Sequence, residues 1–249
     1  MKIVCIVQAR MGSERLPGKV IKPIFEKPMI LYTLDRLSKS RYIDDIVLAT
    51  SVENRENPLV DIVSSAGYNV FRGNESNVLK RYKDASDKHS GDIIIRVTGD
   101  CPFVDPVIVD NVITYFEMNQ FDYVRLDVPE SFIRGFDVEI FTKESLDKVY
   151  DTVSSMKVDK SDKNSLEMYK EHVTYYMYKH PDQFKIGYVK GSDFYNKEYR
   201  LCVDTSEDFK LVEHVYDHFK NEHVSSKQIV EYIDKNPELC KINYNVKQK

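Results

Sequence analysis

The sequence has no surplus of positive charge: 36 Lys and Arg stand against 40 Asp and Glu, for a formal net charge of −4. That excludes the broad basic field with which nucleic-acid-binding proteins gather phosphate backbones, so any anion has to be held by a local cluster. Cysteine is scarce as well. Cys5, Cys101, Cys202 and Cys240 form no C-x-x-C pair and no zinc-ligand spacing, and no secretory signal precedes them. Reduced thiols in a cytoplasm are the expectation. No apolar run approaches the roughly 18 residues that a bilayer crossing takes, so no membrane partner is expected. Internal repeats and low-complexity blocks are also missing.

What is present suits an ordinary globule, with 42% hydrophobic and 12% aromatic residues and 31% charged residues of mixed sign. At 249 residues one α/β domain over 1–249 is expected. In the first half, β-branched runs at Ile3–Val7, Ile46–Ala49 and Ile93–Val97 alternate with helical patterns at Ile30–Leu37 and Leu59–Val63, as in parallel strands joined by crossover helices. Ser76 precedes a helix carrying Leu79 and Tyr82, and Asp105 caps one that begins at Pro106. In the second half Phe136, Val138 and Ile140 alternate with Asp137 and Glu139, as in a strand with one wet face, before a helix opening near Thr142. Residues 151–171 are charged and glycine-free, which suits either an insertion or an arm docking on another subunit. Capping-box patterns start helices at Thr205 and Ser225.

The stretch Gln8–Val20, QARMGSERLPGKV, inverts the global charge. Counting on to Lys22, four cations (Arg10, Arg15, Lys19, Lys22) face one acid, Glu14, directly after the first apolar run. A strand, then a glycine-containing basic loop, then a helix is a recurrent phosphate cradle. Five residues separate Gly12 from Gly18 and Val20 follows Lys19, so it is neither a P-loop nor a G-x-G-x-x-G motif. On composition alone, a solvated connector is the rival reading.

Four ordered motifs decide between them: Ala9-Arg10-x-x-Ser13-x-Arg15-x-Pro17-Gly18-Lys19, then Phe71-Arg72-Gly73 with Val78-Leu79-x-Arg81-Tyr82, then Arg96-Val97-Thr98-Gly99-Asp100-Cys101-Pro102, and Val203-Asp204-Thr205 with Glu207-Asp208. From Ile3 to about Phe219 the chain resembles the spore coat polysaccharide biosynthesis protein F group of cytidylyltransferases, related to CMP-KDO synthetase and acylneuraminate cytidylyltransferase. The resemblance implies a three-layer nucleotide-diphospho-sugar transferase-like (Rossmann-like) α/β fold with a mostly parallel mixed sheet. It implies a nucleotide-binding half over residues 1 to about 120 and an acceptor-binding and dimerisation half over the rest.

The implied reaction moves CMP from CTP to an acidic or phosphorylated acceptor with pyrophosphate release, for surface polysaccharide or glycan. The implied partners are CTP, that small acceptor and a second copy of the chain. Arg15 and Lys19 stabilise the polyphosphate, and Gln8, Ala9, Arg10, Gly12, Ser13 and Arg72 lie near the nucleotide. Arg72 is read equally as an exposed strand-end residue. Asp100 and Asp204, each expected at a strand exit, are the Mg²⁺ ligands, a role that a hard cation with retained waters and phosphate oxygens would suit. Arg134, Asp137, Glu139 and His172 belong to two segments resembling the acceptor walls, with a wet strand face, an exposed arginine and a satisfied helix histidine as the alternatives.

The sequence departs from the group at Val124-Arg125-Leu126-Asp127, which replace its Ser-Asn features, at Ser206 and at Tyr175, which stand where it has proline. The rival functions are a glycosyltransferase, for which Asp100-Cys101-Pro102 supplies no Asp-x-Asp motif, and a nucleotide-binding module without turnover.

Overall fold

The computed structural model describes residues 1–156 and 163–247. Strands form where β-branched residues cluster. In chain order the elements are β1 (Ile3–Gln8), two short strands β2 (Pro23–Ile24) and β3 (Lys27–Pro28), α1 (Met29–Leu37), β4 (Asp45–Ser51), α2 (Asn57–Ser65), β5 (Asn69–Gly73), α3 (Val78–Lys88), β6 (Ile93–Thr98), α4 (Pro106–Asn119), β7 (Tyr123–Leu126), β8 (Glu139–Thr142), α5 (Lys143–Ser155), α6 (Lys163–Glu171), α7 (Tyr175–Lys179), β9 (Ile186–Val189), α8 (Ser206–Phe219) and α9 (Ser226–Lys235). Seven strands make one sheet in the order β5-β4-β1-β6-β8-β7-β9, and only β8 runs against the rest among the described residues. This is the mostly parallel mixed sheet that the resemblance implies.

Strand periodicity builds two cores. Ile3, Cys5 and Val7 of β1 face one cluster with residues of α1, α2, α4, α8 and α9, whereas Val4 and Ile6 face a second with α3, α5, α6 and α7. With both faces covered, the inner strands read as continuous apolar runs. Helix starts follow the expected chemistry at Asp105, which accepts from Val107 N at 2.8 Å, and at Thr142, which accepts from Ser145 N at 3.0 Å. Both expected capping boxes close, Thr205 with Asp208 and Ser225 with Gln228. At α3 the cap is Asn77 rather than Ser76: its Oδ1 accepts from Lys80 N at 2.9 Å, while the Ser76 hydroxyl donates to Asn74 Oδ1.

Two expectations need correction. The strand expected from Phe136 begins only at Glu139, and it has no wet face. Because a core packs on each face of β8, Ile140 is buried on one side and Phe141 on the other, and the Glu139 side chain is only 14% exposed. Leu201-Cys202-Val203, expected to be a strand leading to Asp204, joins no strand of the sheet. It is held instead by two backbone bonds, Leu201 N to Arg134 O and Val203 N to Asp100 O, both 2.8 Å. Of residues 151–171, the first part ends α5 and the last part forms α6; residues 157–162 fall outside the described residues.

Candidate active site

The basic loop leaves the end of β1 and is anchored before it turns. Glu56, fully buried, accepts from Met11 N at 2.8 Å and from the Thr50 hydroxyl at 2.9 Å. Gly18 then takes a left-handed φ of 67°, which a side chain would strain, and starts a short 3-10 helix, Lys19–Ile21. Gly99 permits the matching approach from β6, since a Cβ there would meet the Ala9 Cβ and Ile30 Cδ1 at 2.8 Å. The loop and Asp100 are thereby brought side by side.

Lys19 is the centre of the arrangement. Its Nζ lies 2.9 Å from Asp100 Oδ2, 2.9 Å from Asp204 Oδ1 and 2.6 Å from Val203 O. Burial alone would lower its pKa, but the two carboxylates overcome that and raise it. Arg15 Nη2 reaches Asp204 Oδ2 at 2.9 Å, and Arg200 pairs with Asp204 at 2.5 Å and with Asp208 at 3.0 Å. Although burial opposes its charge, Asp204 is held below the usual carboxylate range by Lys19, Arg15 and Arg200.

The fit of a divalent cation follows from these contacts. Two carboxylate oxygens that converge on one nitrogen at 2.9 Å each face a common cation position, and a smaller divalent ion would draw them somewhat closer once Lys19 yields. No group of three or more His, Cys, Asp or Glu able to hold a metal occurs among the described residues. A site of two carboxylates, completed by substrate phosphate and water, is what Mg²⁺ accepts and what a tightly dehydrated ion would not.

A cleft of about 660 Å³ opens at this end of the sheet. Gln8, Ala9, Arg10, Gly12, Ser13, Arg15 and Lys19 line it on the loop side together with Asp100 and Asp204; Arg134, Asp137, Glu139 and His172 line it from the second half of the chain. Arg72 does not. Its guanidinium holds the segment after β4, donating to Ser51 O, Val52 O, Glu53 O and Asn57 Oδ1 at 2.9–3.2 Å, which is the strand-end alternative for that residue.

Asp137 accepts from Gly135 N at 2.6 Å, and burial pushes its pKa up. Gly135 itself sits at φ 111° with Leu201 C only 2.5 Å from where its Cβ would stand, which lets this wall approach the segment carrying Asp204. Glu139 is saturated: Arg96 binds Oε2, while Oε1 accepts from the Tyr123 hydroxyl at 2.7 Å and from Thr174 Oγ1 at 3.0 Å. Arg96, Arg125 and Thr174 are participants that sequence reasoning missed. A charged residue inside the apolar run Ile93–Val97 was the available signal for Arg96, since a buried arginine has to be paired.

The sequence pattern of the cytidylyltransferase family matches residues 4–240. The spore coat polysaccharide biosynthesis protein SpsF of Bacillus subtilis is 31% identical over 247 residues, covering 96% of each chain. An 8-amino-3,8-dideoxy-manno-octulosonate cytidylyltransferase of Shewanella frigidimarina is 29% identical over 225 residues, covering 86% of this chain and 84% of its own. Among solved structures, a cytidylyltransferase from Leptospira borgpetersenii superposes with a TM-score of 0.87 at 31% identity, covering 100% of this chain and 99% of that one.

Proposed function

The chain belongs to the cytidylyltransferase family, and from that premise we propose that it moves CMP from CTP to an acidic or phosphorylated sugar, releasing pyrophosphate, with Mg²⁺ as its ion. The observation that carries the reading is the convergence of Asp100 and Asp204 on one cation position at the end of the basic loop. Two relatives, one a spore coat polysaccharide biosynthesis protein and one an octulosonate cytidylyltransferase, support a sugar acceptor.

In the transfer, an acceptor oxygen bonds to the α-phosphorus as the bond to the bridging oxygen breaks, and pyrophosphate departs with the released charge. Lys19 and Arg15 are placed to exchange their carboxylate contacts for phosphate oxygens and so neutralise that charge. Mg²⁺ held by Asp100 and Asp204 would supply Lewis acidity toward the same oxygens. Gln8 Oε1, buried with no hydrogen-bond partner, would be satisfied by the exocyclic amine of cytosine. On the acceptor side we assign Arg134 to an acid group, Asp137 to hydroxyls and His172 to the nucleophile and its departing proton. Glu139, with both oxygens engaged, is assigned to holding Arg96, Tyr123 and Thr174 in place.

The test is pyrophosphate release from pure protein with each nucleoside triphosphate, Mg²⁺ and a panel of acidic sugars and sugar phosphates. CTP-selective release that depends on one acceptor class is expected. CTP binding with no release from any combination would instead mark a binding module without turnover, and consumption of a nucleotide sugar without pyrophosphate would mark a glycosyltransferase.

A further inference from the structure

One row of the sheet runs across the acceptor side of the cleft. Register sets Arg96 of β6 opposite Glu139 of β8, Glu139 opposite Arg125 of β7, and Arg125 opposite Tyr188 of β9. Directly opposed residues share a face, so two guanidinium groups flank one carboxylate. Glu139 serves only one of them, because Arg96 takes Oε2 and the hydroxyls of Tyr123 and Thr174 take Oε1.

Arg125 is left without a carboxylate within 4.0 Å among the described residues, and its Nε is buried with no hydrogen-bond partner. Its neighbours are rings: the guanidinium carbon lies 5.3 Å from the centre of Tyr178 and 5.6 Å from that of Tyr188. Arg96 and Arg81 also bury an unpaired Nε, so the difference lies in the rest of the guanidinium: Arg96 is ion-paired, Arg81 donates to Asn74 O, Arg72 has four acceptors, and Arg200 bridges two aspartates. A guanidinium that neighbours rings keeps its N–H edges available for a planar anion, and Arg125 lines the cleft.

We propose that Arg125 is a specificity-determining residue that binds an anionic group of the acceptor, a carboxylate or a phosphate, at the part of the cleft it lines, with Tyr178 and Tyr188 neighbouring its guanidinium. That subsite shares no residue with the Lys19 cluster. The proposal rests on the cytidylyltransferase reading of the cleft. An unpaired buried N–H and a guanidinium with no carboxylate in direct contact both favour an anion over a neutral hydroxyl, and the fork geometry favours bidentate contact.

The test fills the nucleotide end first, with α,β-methylene-CTP and Mg²⁺, so that a small anion cannot be counted at Lys19. Acetate and orthophosphate are then titrated separately while the arginine Nε–H resonances are followed by NMR, with the Arg125 signal identified by its loss in Arg125→Gln. A saturable shift of the Arg125 signal with one of the two anions is expected, with the Arg96 signal unmoved; which anion does so separates a carboxylate acceptor from a phosphate one. Binding measured by calorimetry should weaken roughly ten- to hundredfold in Arg125→Gln and be partly restored in Arg125→Lys, with the affinity for the nucleotide analogue serving as the check that each variant is folded. An Arg125 signal indifferent to both anions in protein that binds the analogue overturns this proposal alone. Failure to bind the analogue overturns the nucleotide reading and this subsite with it.

Discussion

The cleft holds two charge clusters built from the same side chains to different ends. At the end of the basic loop, Asp100 and Asp204 meet Lys19, Arg15 and Arg200, and the Lys19 ammonium is shared by both carboxylates. Across the cleft, Glu139 is bound by Arg96 and by two hydroxyls, beneath helices α3 and α7. The first cluster is made of ion pairs that, in the proposed transfer, a polyphosphate would exchange. The second has no exchangeable partner, since each of its contacts is also a contact of the core. An arginine and a glutamate are therefore site residues or scaffold according to what else they touch.

Three experiments would sharpen or break this contrast. The largest effect is expected in Glu139→Gln, which leaves Arg96 buried without its counter-charge and should cost about 3–5 kcal/mol of stability, read from denaturant unfolding. The same pair sets a pH dependence. Burial opposes the Glu139 charge, but Arg96 and the hydrogen bonds from Tyr123, Arg96 and Thr174 overcome it and lower the pKa. A depressed folded-state pKa means that this contribution is complete above the unfolded glutamate value of about 4.3 and disappears as pH falls through the lower folded value. The stability difference between wild type and variant should therefore shrink on acidification below that point; a difference that stays constant would remove the ion pair from the account.

Next comes Lys19→Ala, expected to reduce turnover on the order of 10²- to 10³-fold with little loss of melting temperature. If the loss appears in stability while turnover survives, Lys19 is scaffold and the contrast collapses. The smallest effect is expected in Arg72→Ala. Its guanidinium serves the segment after β4, so CTP affinity measured by calorimetry should stay near wild type; a marked weakening would return Arg72 to the nucleotide site.

Much of this was legible beforehand where the signal is local. The runs around Ile3–Val7 and Ile93–Val97, the caps at Asp105, Thr205 and Ser225, and the basic loop with its two distant aspartates are all visible as residue types at fixed spacing. Misreadings arose where a neighbour in space decided. The alternation at Phe136–Ile140 suggested a wet face because period two is blind to what packs over a strand, and a core lies on each face of β8. Arg72 stayed open between a nucleotide contact and a strand-end residue because its carbonyl acceptors, on the segment 51–53, leave no trace in side-chain chemistry. Arg125 was visible only as a departure from a pattern, and its significance depends on register with Glu139.

By itself, then, the sequence determined an alternating α/β chain with a local cationic loop and two carboxylates beyond strand or turn signals, because propensity, capping and periodicity act over a few residues. Only the tertiary structure decided which charges meet. A single ammonium between Asp100 and Asp204, and a guanidinium left over beside Glu139, are products of sheet order and register, quantities fixed by packing across the whole chain.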